Sequence, residues 1–313
     1  MVDGGDELAE FLRHSRRVCG ADLDYGASVT FSIVARDPVT GELGAAVASG
    51  VLAIGARALA VEPGLAAVVV QGAAGADQLH AVLDRLREGN EPEEAVRAAG
   101  LSAEMQCGVV TPSESTSWTG DACPGAAGGV ALPEVAVQGN LLTSTEVWEA
   151  ARETFHTTTG PLHRRLVASL RAGQQAGGDA RGQQSVALVV RAAGGTEPLP
   201  LDLRVDDHRD PLRELGRLLD VHHAHDLIAS GSSVLHEDID MARRLVDASA
   251  RLPGDALLAG WAAVGALVHG LPEAALLVNA ARSQTPRFAA LCALRASHGG
   301  PLAPAWNKLA ELG

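Results

Sequence analysis

The chain has 313 residues, enough for one large domain or two smaller ones, and a composition of 47% hydrophobic and 20% charged residues excludes overall disorder. A formal net charge of −13, with Lys308 as the only lysine, excludes the clustered cations that a nucleic-acid partner needs, and no apolar run reaches the length of a membrane span. Neither a nucleic acid nor a membrane is therefore expected as a partner.

The opening stretch MVDGGDELAEFLRHSRR is acidic and polar where a secretory signal needs a basic end followed by an apolar run, so the expected compartment is the cytoplasm. Residues 1–28 have weak periodicity, with one short helix expected from Glu7 to Arg17, and read as an N-terminal extension: a propeptide or a mis-assigned start. The pattern then changes. Thr30 to Ala35 is a strand of β-branched and apolar residues, Asp37-Pro38-Val39-Thr40-Gly41 is a turn, and Leu43 to Ser49 is the returning strand of a hairpin. Leu65 to Gln71 reads as a buried strand. Asp77 to Glu88 has helical spacing, with Leu79, Val82, Leu83 and Leu86 on one face, and stops at Gly89-Asn90. Pro92 to Ala99 is a second helix.

Gln106 to Val110 and Glu134 to Gln138 read as strands separated by a loop rich in Ser, Gly and Pro. Helices are expected from Thr143 to about Phe155 and from Pro161 to about Ala172, then a Gly/Gln-rich loop from Gly173 to Gln183. Ser185 to Arg191 and Leu201 to Val205 are strands, and Asp210 opens a helix over Pro211 to Leu219. From 220 to 313 the strand signals stop, and the chain reads as a C-terminal helical region with short Gly/Pro breaks. The order of elements is α+β. It suits sheets packed face to face and covered by helices better than a doubly wound parallel sheet, because strict βαβα alternation is absent.

None of the cysteines, Cys19, Cys107, Cys123 and Cys292, has the CxxC spacing of a structural zinc site, and Cys123 reads as a small buried apolar residue. His222, His223, His225 and Asp226 invite a metal reading but lack the spacing of known sites, and they read as a solvated helix start. Asp206-Asp207-His208 reads as a capping turn before Pro211. The glycines of 173–184 lack phosphate-loop spacing.

Several blocks arrive in a definite order: Val29-Thr30-Phe31-Ser32-Ile33-Val34-Ala35-Arg36-Asp37-Pro38 with Thr40-Gly41-Glu42-Leu43-Gly44 and Ala46-Val47-Ala48-Ser49; Val137-Gln138-Gly139-Asn140-Leu141-Leu142; Ala172-Gly173-Gln174 through Gly177-Gly178-Asp179 to Arg181-Gly182-Gln183-Gln184-Ser185; and Asp202-Leu203-Arg204-Val205-Asp206-Asp207-His208 with Asp210-Pro211. Over residues 29–219 the chain thereby resembles the family known as domain of unknown function 1028, an Ntn-hydrolase-like group. The resemblance implies a four-layer αββα sandwich and an N-terminal nucleophile. In such chemistry a Thr, Ser or Cys at a free amino terminus attacks an amide carbonyl, with its own α-amine as general base, because an α-amine titrates near neutrality.

Thr30 is the residue that the resemblance marks as nucleophile, and Ser49 is placed to hydrogen-bond its amine. Asn140 carries an amide suited to an oxyanion. Arg57 is the nearest cation, because the family often has a basic residue directly after the serine and here that position is Gly50. Thr30 gains the required amine if Val29 is the true start, GTG being a bacterial start codon, or if residues 1–28 form a propeptide removed by self-cleavage. If the extension is permanent, the fold is kept without this chemistry. The expectation is an amide hydrolase for a small-molecule or peptide-like substrate, with no metal or other cofactor required and a homodimer as the general expectation for such a fold. The alternative is a non-catalytic binding or assembly protein.

Overall fold

The computed structural model describes residues 30–73, 76–285 and 287–312; the helix expected at Glu7 to Arg17 and the role of residues 1–28 lie outside them. The chain divides into two compact units at Gly216/Arg217, close to the boundary expected at 219/220.

The first unit holds two antiparallel sheets. Strands β1 (Thr30–Arg36), β2 (Leu43–Ser49), β7 (Ala126–Leu132), β8 (Val135–Leu142), β9 (Ser185–Arg191) and β10 (Leu201–Val205) form one sheet in the order β10-β9-β2-β1-β8-β7. Strands β3 (Leu59–Glu62), β4 (Ala66–Gly72), β5 (Met105–Val110) and β6 (Ser115–Thr119) form the other in the order β3-β4-β5-β6. The hairpin at the centre of the larger sheet forms as its sequence dictates. Gly41 takes φ 73 at the turn, and Asp37 Oδ1 accepts from Val39 N at 2.8 Å and Thr40 N at 3.1 Å.

Three short strands have no clear sequence signal. β6 and β7 fall inside the segment read as a Ser/Gly/Pro-rich loop, and β3 precedes the strand expected at Leu65. β6 (STSWT) carries hydroxyls rather than an apolar run, and β7 (AAGGVAL) opens on two alanines and two glycines. Both qualify as strands through pairing with stronger neighbours, β5 and β8.

Period-two alternation sorts the side chains of the larger sheet. Phe31 faces one side, where Gly173 of helix α4 (Leu162–Gln175) leaves room for its ring. Leu162 and Leu166 of the same helix press on Gly44 of β2, and α3 (Glu146–Thr157) lies on that side too, Trp148 lying over Gly128 of β7. The other face meets the smaller sheet through Val34, Leu43, Ala45, Val47 and Ala136 against Leu59, Ala67, Val69 and Val110. The far side of the smaller sheet buries Val68, Val70 and Val109 against Leu79, Val82, Leu83 and Leu86 of α1 (Ala76–Arg87) and Ala95 and Val96 of α2 (Pro92–Ala98). A helix pair thus covers the outer face of each of two facing sheets.

The second unit is helical: α5 (Pro211–Gly231, which begins in the first unit), α6 (Ile239–Arg251), α7 (Ala256–His269), α8 (Ala274–Gln284), α9 (Phe288–Ser297) and α10 (Ala303–Leu312). Its core gathers Leu235, Leu245, Leu258, Trp261, Val264, Phe288, Cys292, Trp306 and Leu309. Asp238 and Asp255 cap α6 and α7 by accepting from the first-turn amides Asp240 N and Met241 N, and Leu258 N. Helix α5 is more than twice as long as the stretch to Leu219 that the sequence pattern marks: it runs through Gly216, and no Gly or Pro follows Leu219 before Gly231. His222, His223 and His225 therefore sit inside a helix, not at the start of one, and His225 Nε2 meets Asp255 Oδ2 at 2.6 Å. Among the described residues no cluster of His, Cys, Asp and Glu is suited to a metal ion, and no helix is long and apolar enough to cross a membrane.

Candidate active site

Between the two sheets the facing side chains change character along the strands. Val34 of β1, Ala45 of β2 and Ala136 of β8 lie in one row, then Ser32 with Val47 and Gln138, then Thr30 with Ser49 and Asn140. The smaller sheet follows the same gradient, from Ala67 paired with Val110 to Gln71 paired with Gln106. Thr30, Ser32, Ser49, Gln71, Gln106, Gln138 and Asn140 are all buried. Buried amides and hydroxyls are tolerated only when hydrogen-bonded, and here almost every atom is.

Gln71 Nε2 donates to the Thr30 carbonyl at 3.0 Å and to Gln106 Oε1 at 2.9 Å, while its Oε1 accepts from Ser32 Oγ at 2.6 Å. Gln106 Nε2 donates to Thr119 Oγ1 at 2.9 Å and to the Gly139 carbonyl at 2.8 Å. Asn140 Nδ2 donates to Gln106 Oε1 at 2.9 Å, and Gln138 Nε2 to Ser32 Oγ at 2.6 Å. Gly108 makes room for this layer: a Cβ there would stand 2.3 Å from Gln138 Oε1. The exception is Asn140 Oδ1, which is buried and has no hydrogen-bond partner among the described residues.

Of the four residues singled out from the sequence, the fold brings three together. Thr30 pairs across the strands with Ser49 on one side and Asn140 on the other, and Thr30 Oγ1 lies 3.1 Å from Ser49 Oγ. Arg57, at the end of the short 3₁₀ turn Ile54–Ala56, is half-buried and has no hydrogen bond or ion pair to any of the three.

Another arginine approaches the Ser49 end of β2. Gly50, next in the chain, donates its N–H to Asp179 Oδ2 at 2.5 Å, and Gln184 N donates to the Ser49 carbonyl at 2.9 Å. Asp179 Oδ1 also accepts from Arg181 N at 2.8 Å, and the Arg181 guanidinium reaches Asp179 Oδ2 at 3.3 Å. A side chain at position 50 would collide with this arrangement, its Cβ 2.8 Å from Asp179 Oδ2 and 2.9 Å from the Gly182 carbonyl. Position 50 therefore leaves no room for a side chain, and Arg181 brings a cation to the carboxylate bonded to the Gly50 amide. Burial pushes the Asp179 carboxyl above its usual range, against the opposing pull of Arg181.

Gln71, Gln106, Asp179 and Arg181 were not singled out as site residues. The available signal for the glutamines is parity: each is a polar residue near a strand end on the face that elsewhere carries Val and Ala. Cys123 is half-buried, not buried, and its Sγ donates to the Met105 carbonyl at 3.2 Å. The buried Cys107 thiol is pushed far above the thiol range by desolvation, which leaves it inert as a nucleophile.

No curated protein matches the chain. Among solved structures, the crystal structure of protein SPO2555 from Silicibacter pomeroyi, itself assigned to DUF1028, is similar at 32% identity with a TM-score of 0.57, over 61% of this chain and 85% of that one. The family model described as "Family of unknown function (DUF1028)" matches residues 30–215, more than half of the chain and the whole of the site above. The chain belongs to the DUF1028 family.

Proposed function

We propose that the first unit is an amide hydrolase of the N-terminal-nucleophile type, acting on a C–N bond of a small or peptide-like metabolite with Thr30 at the head of the mature chain. The observation that carries the reading is the Thr30 environment: a hydroxyl held by Ser49 at 3.1 Å beside an Asn140 whose buried oxygen lacks a donor among the described residues. The layering of helix pairs over two facing sheets supports it, as the Ntn-hydrolase sandwich has that arrangement.

In this reading the α-amine of Thr30 takes the proton of Oγ1 as the oxygen attacks the amide carbon. The tetrahedral adduct collapses to an ester on Oγ1, the proton passes to the departing amine, and water then hydrolyses the ester. Asn140 acts through its oxygen, as acceptor for the amine. As an oxyanion donor its nitrogen would first have to leave Gln106. Ser49 orients the nucleophile. Arg181 supplies positive charge near the Ser49 end, a part assigned to Arg57 on sequence grounds alone; no metal or cofactor is required by the chemistry.

Intact mass and N-terminal sequencing of the protein from its native host, followed by an amide-hydrolysis screen, test this. The expected result is a chain beginning at Thr30 whose activity Thr30→Ala abolishes. A chain beginning upstream of Thr30, or activity that survives Thr30→Ala, overturns it. One observation favours the second reading, a binding or assembly protein that keeps the fold: Thr30 and Asn140 are 0% and 1% exposed, so substrate reaches them only after chain is removed or displaced.

A further inference from the structure

The helical unit carries a cavity of ≈ 530 Å³, within the range of small-molecule sites. Trp261 and Trp306 both line it, edge to face with centroids 5.2 Å apart and planes at 87°. Both are largely buried, at 7% and 5% exposure, whereas Leu291 and Leu294 stand exposed along it. A chain with only 4 Trp in 313 residues commits two of them to this one hollow.

Three polar features define the chemistry of an occupant. The guanidinium of Arg295 lies over the Trp261 ring, 5.4 Å from its centroid, and Arg295 has no carboxylate partner among the described residues. No acidic residue lines the cavity, although Asp and Glu outnumber Lys and Arg by 38 to 25 in the chain. The indole nitrogen of Trp261 is buried beneath the cavity surface, without an acceptor among the described residues, so the ring and not its N–H is what the cavity offers. His298 stands at the rim with Nδ1 2.7 Å from the Leu294 carbonyl, which leaves Nε2 as the nitrogen free to meet a ligand.

We propose that this cavity binds a small amphipathic anion: a flat apolar body packed against the two tryptophans, with a carboxylate or similar oxyanion paired to Arg295. An aromatic body suits the edge-to-face pair. A charge-assisted bond to an otherwise unpaired guanidinium supplies the preference for an anion. The site lies wholly in the second unit, and its success or failure is independent of Thr30.

Calorimetry on the full chain with naphthalene-2-carboxylate and its neutral analogue naphthalene-2-methanol tests the proposal, together with the indole N–H resonances in a nitrogen-correlated spectrum. The carboxylate is expected to bind about tenfold more tightly than the alcohol, and Arg295→Gln, at an exposed position, to remove that difference. The Trp261 indole resonance, assigned through Trp261→Phe, is expected to shift with the carboxylate. No binding, equal affinity for both probes, or a preference that survives Arg295→Gln overturns the proposal. So does a titration that leaves the Trp261 resonance in place.

Discussion

Gln106 decides what Asn140 offers its surroundings. Its Nε2 faces the Gly139 carbonyl and Thr119 Oγ1, so its amide cannot be turned over without setting oxygen against oxygen. Oε1 therefore points at Asn140, Asn140 answers with Nδ2, and its own oxygen is left over. A similar contest of charge and burial operates at Asp179. Burial is the larger influence and raises its pKa above the ordinary 3.8. The folded chain therefore holds the proton more readily than the unfolded one, and the contribution of this group is fullest below 3.8 and declines as pH rises through the raised value. Arg181 opposes that decline. Arg181→Gln should cost about 1 kcal/mol near pH 7 for this partly exposed pair, with the loss fading as pH drops through the raised value and absent below 3.8. Urea denaturation of both proteins across that range reads the difference, and a loss independent of pH would mean that Arg181 acts by packing alone. The sequence made Thr30, Ser49 and Asn140 legible because they sit in ordered blocks. It hid the glutamines, since a Gln at a strand end reads as the solvent edge until the facing sheet is in place. Asp179 and its neighbour Arg181 were hidden because the Gly50 amide that Asp179 accepts from lies 129 positions away.

At the scale of elements, what could be read was what local periodicity enforces. β1 is rich in β-branched and apolar residues, β2 and β9 have continuous apolar runs, and α1 has its leucine face, so each was visible alone. β3, β6 and β7 exist because neighbours supply hydrogen bonds that their own side chains do not predict, and α5 runs on because a helix stops at breakers rather than where an apolar stripe fades. The approach of α4 to the larger sheet is also tertiary in origin. Gly173 faces Phe31, and a Cβ there would stand 2.8 Å from Phe31 Cε2 and 3.2 Å from the Val147 carbonyl. Alanine normally favours a helix interior over glycine by about 1 kcal/mol, but overpacking here should cost about 1–3 kcal/mol, so Gly173→Ala should destabilise on balance. Gly254→Ala, with nothing within 4 Å of the added methyl, should be neutral or mildly stabilising. Denaturant midpoints for the two variants separate the effects, and a stabilised Gly173→Ala would show that α4 rests farther from β1 than its contacts imply.

The whole molecule consists of two units with separate cores. Every buried residue of the helical core falls between Ala224 and Leu309, and the buried apolar residues of the sheets and their covering helices fall between Phe31 and Val205. Stability in such a chain need not be uniform, since each core opens at its own free energy. Leu245, fully buried in α6, sits at the centre of the helical core. Leu245→Ala leaves a cavity and should destabilise that unit by about 2–5 kcal/mol. Hydrogen exchange followed by mass spectrometry should then show faster exchange across α6, α7 and α9, with the protection of β1, β2 and β8 unchanged. The same comparison bears on function, because the polar layer around Thr30 belongs entirely to the first unit and the Trp261 cavity entirely to the second. If the strands lose protection together with the helices, the two cores unfold as one, and a ligand stabilising the Trp261 cavity would stabilise the Thr30 site as well. If they do not, occupancy of one site leaves the other untouched, and the two proposals stand or fall separately.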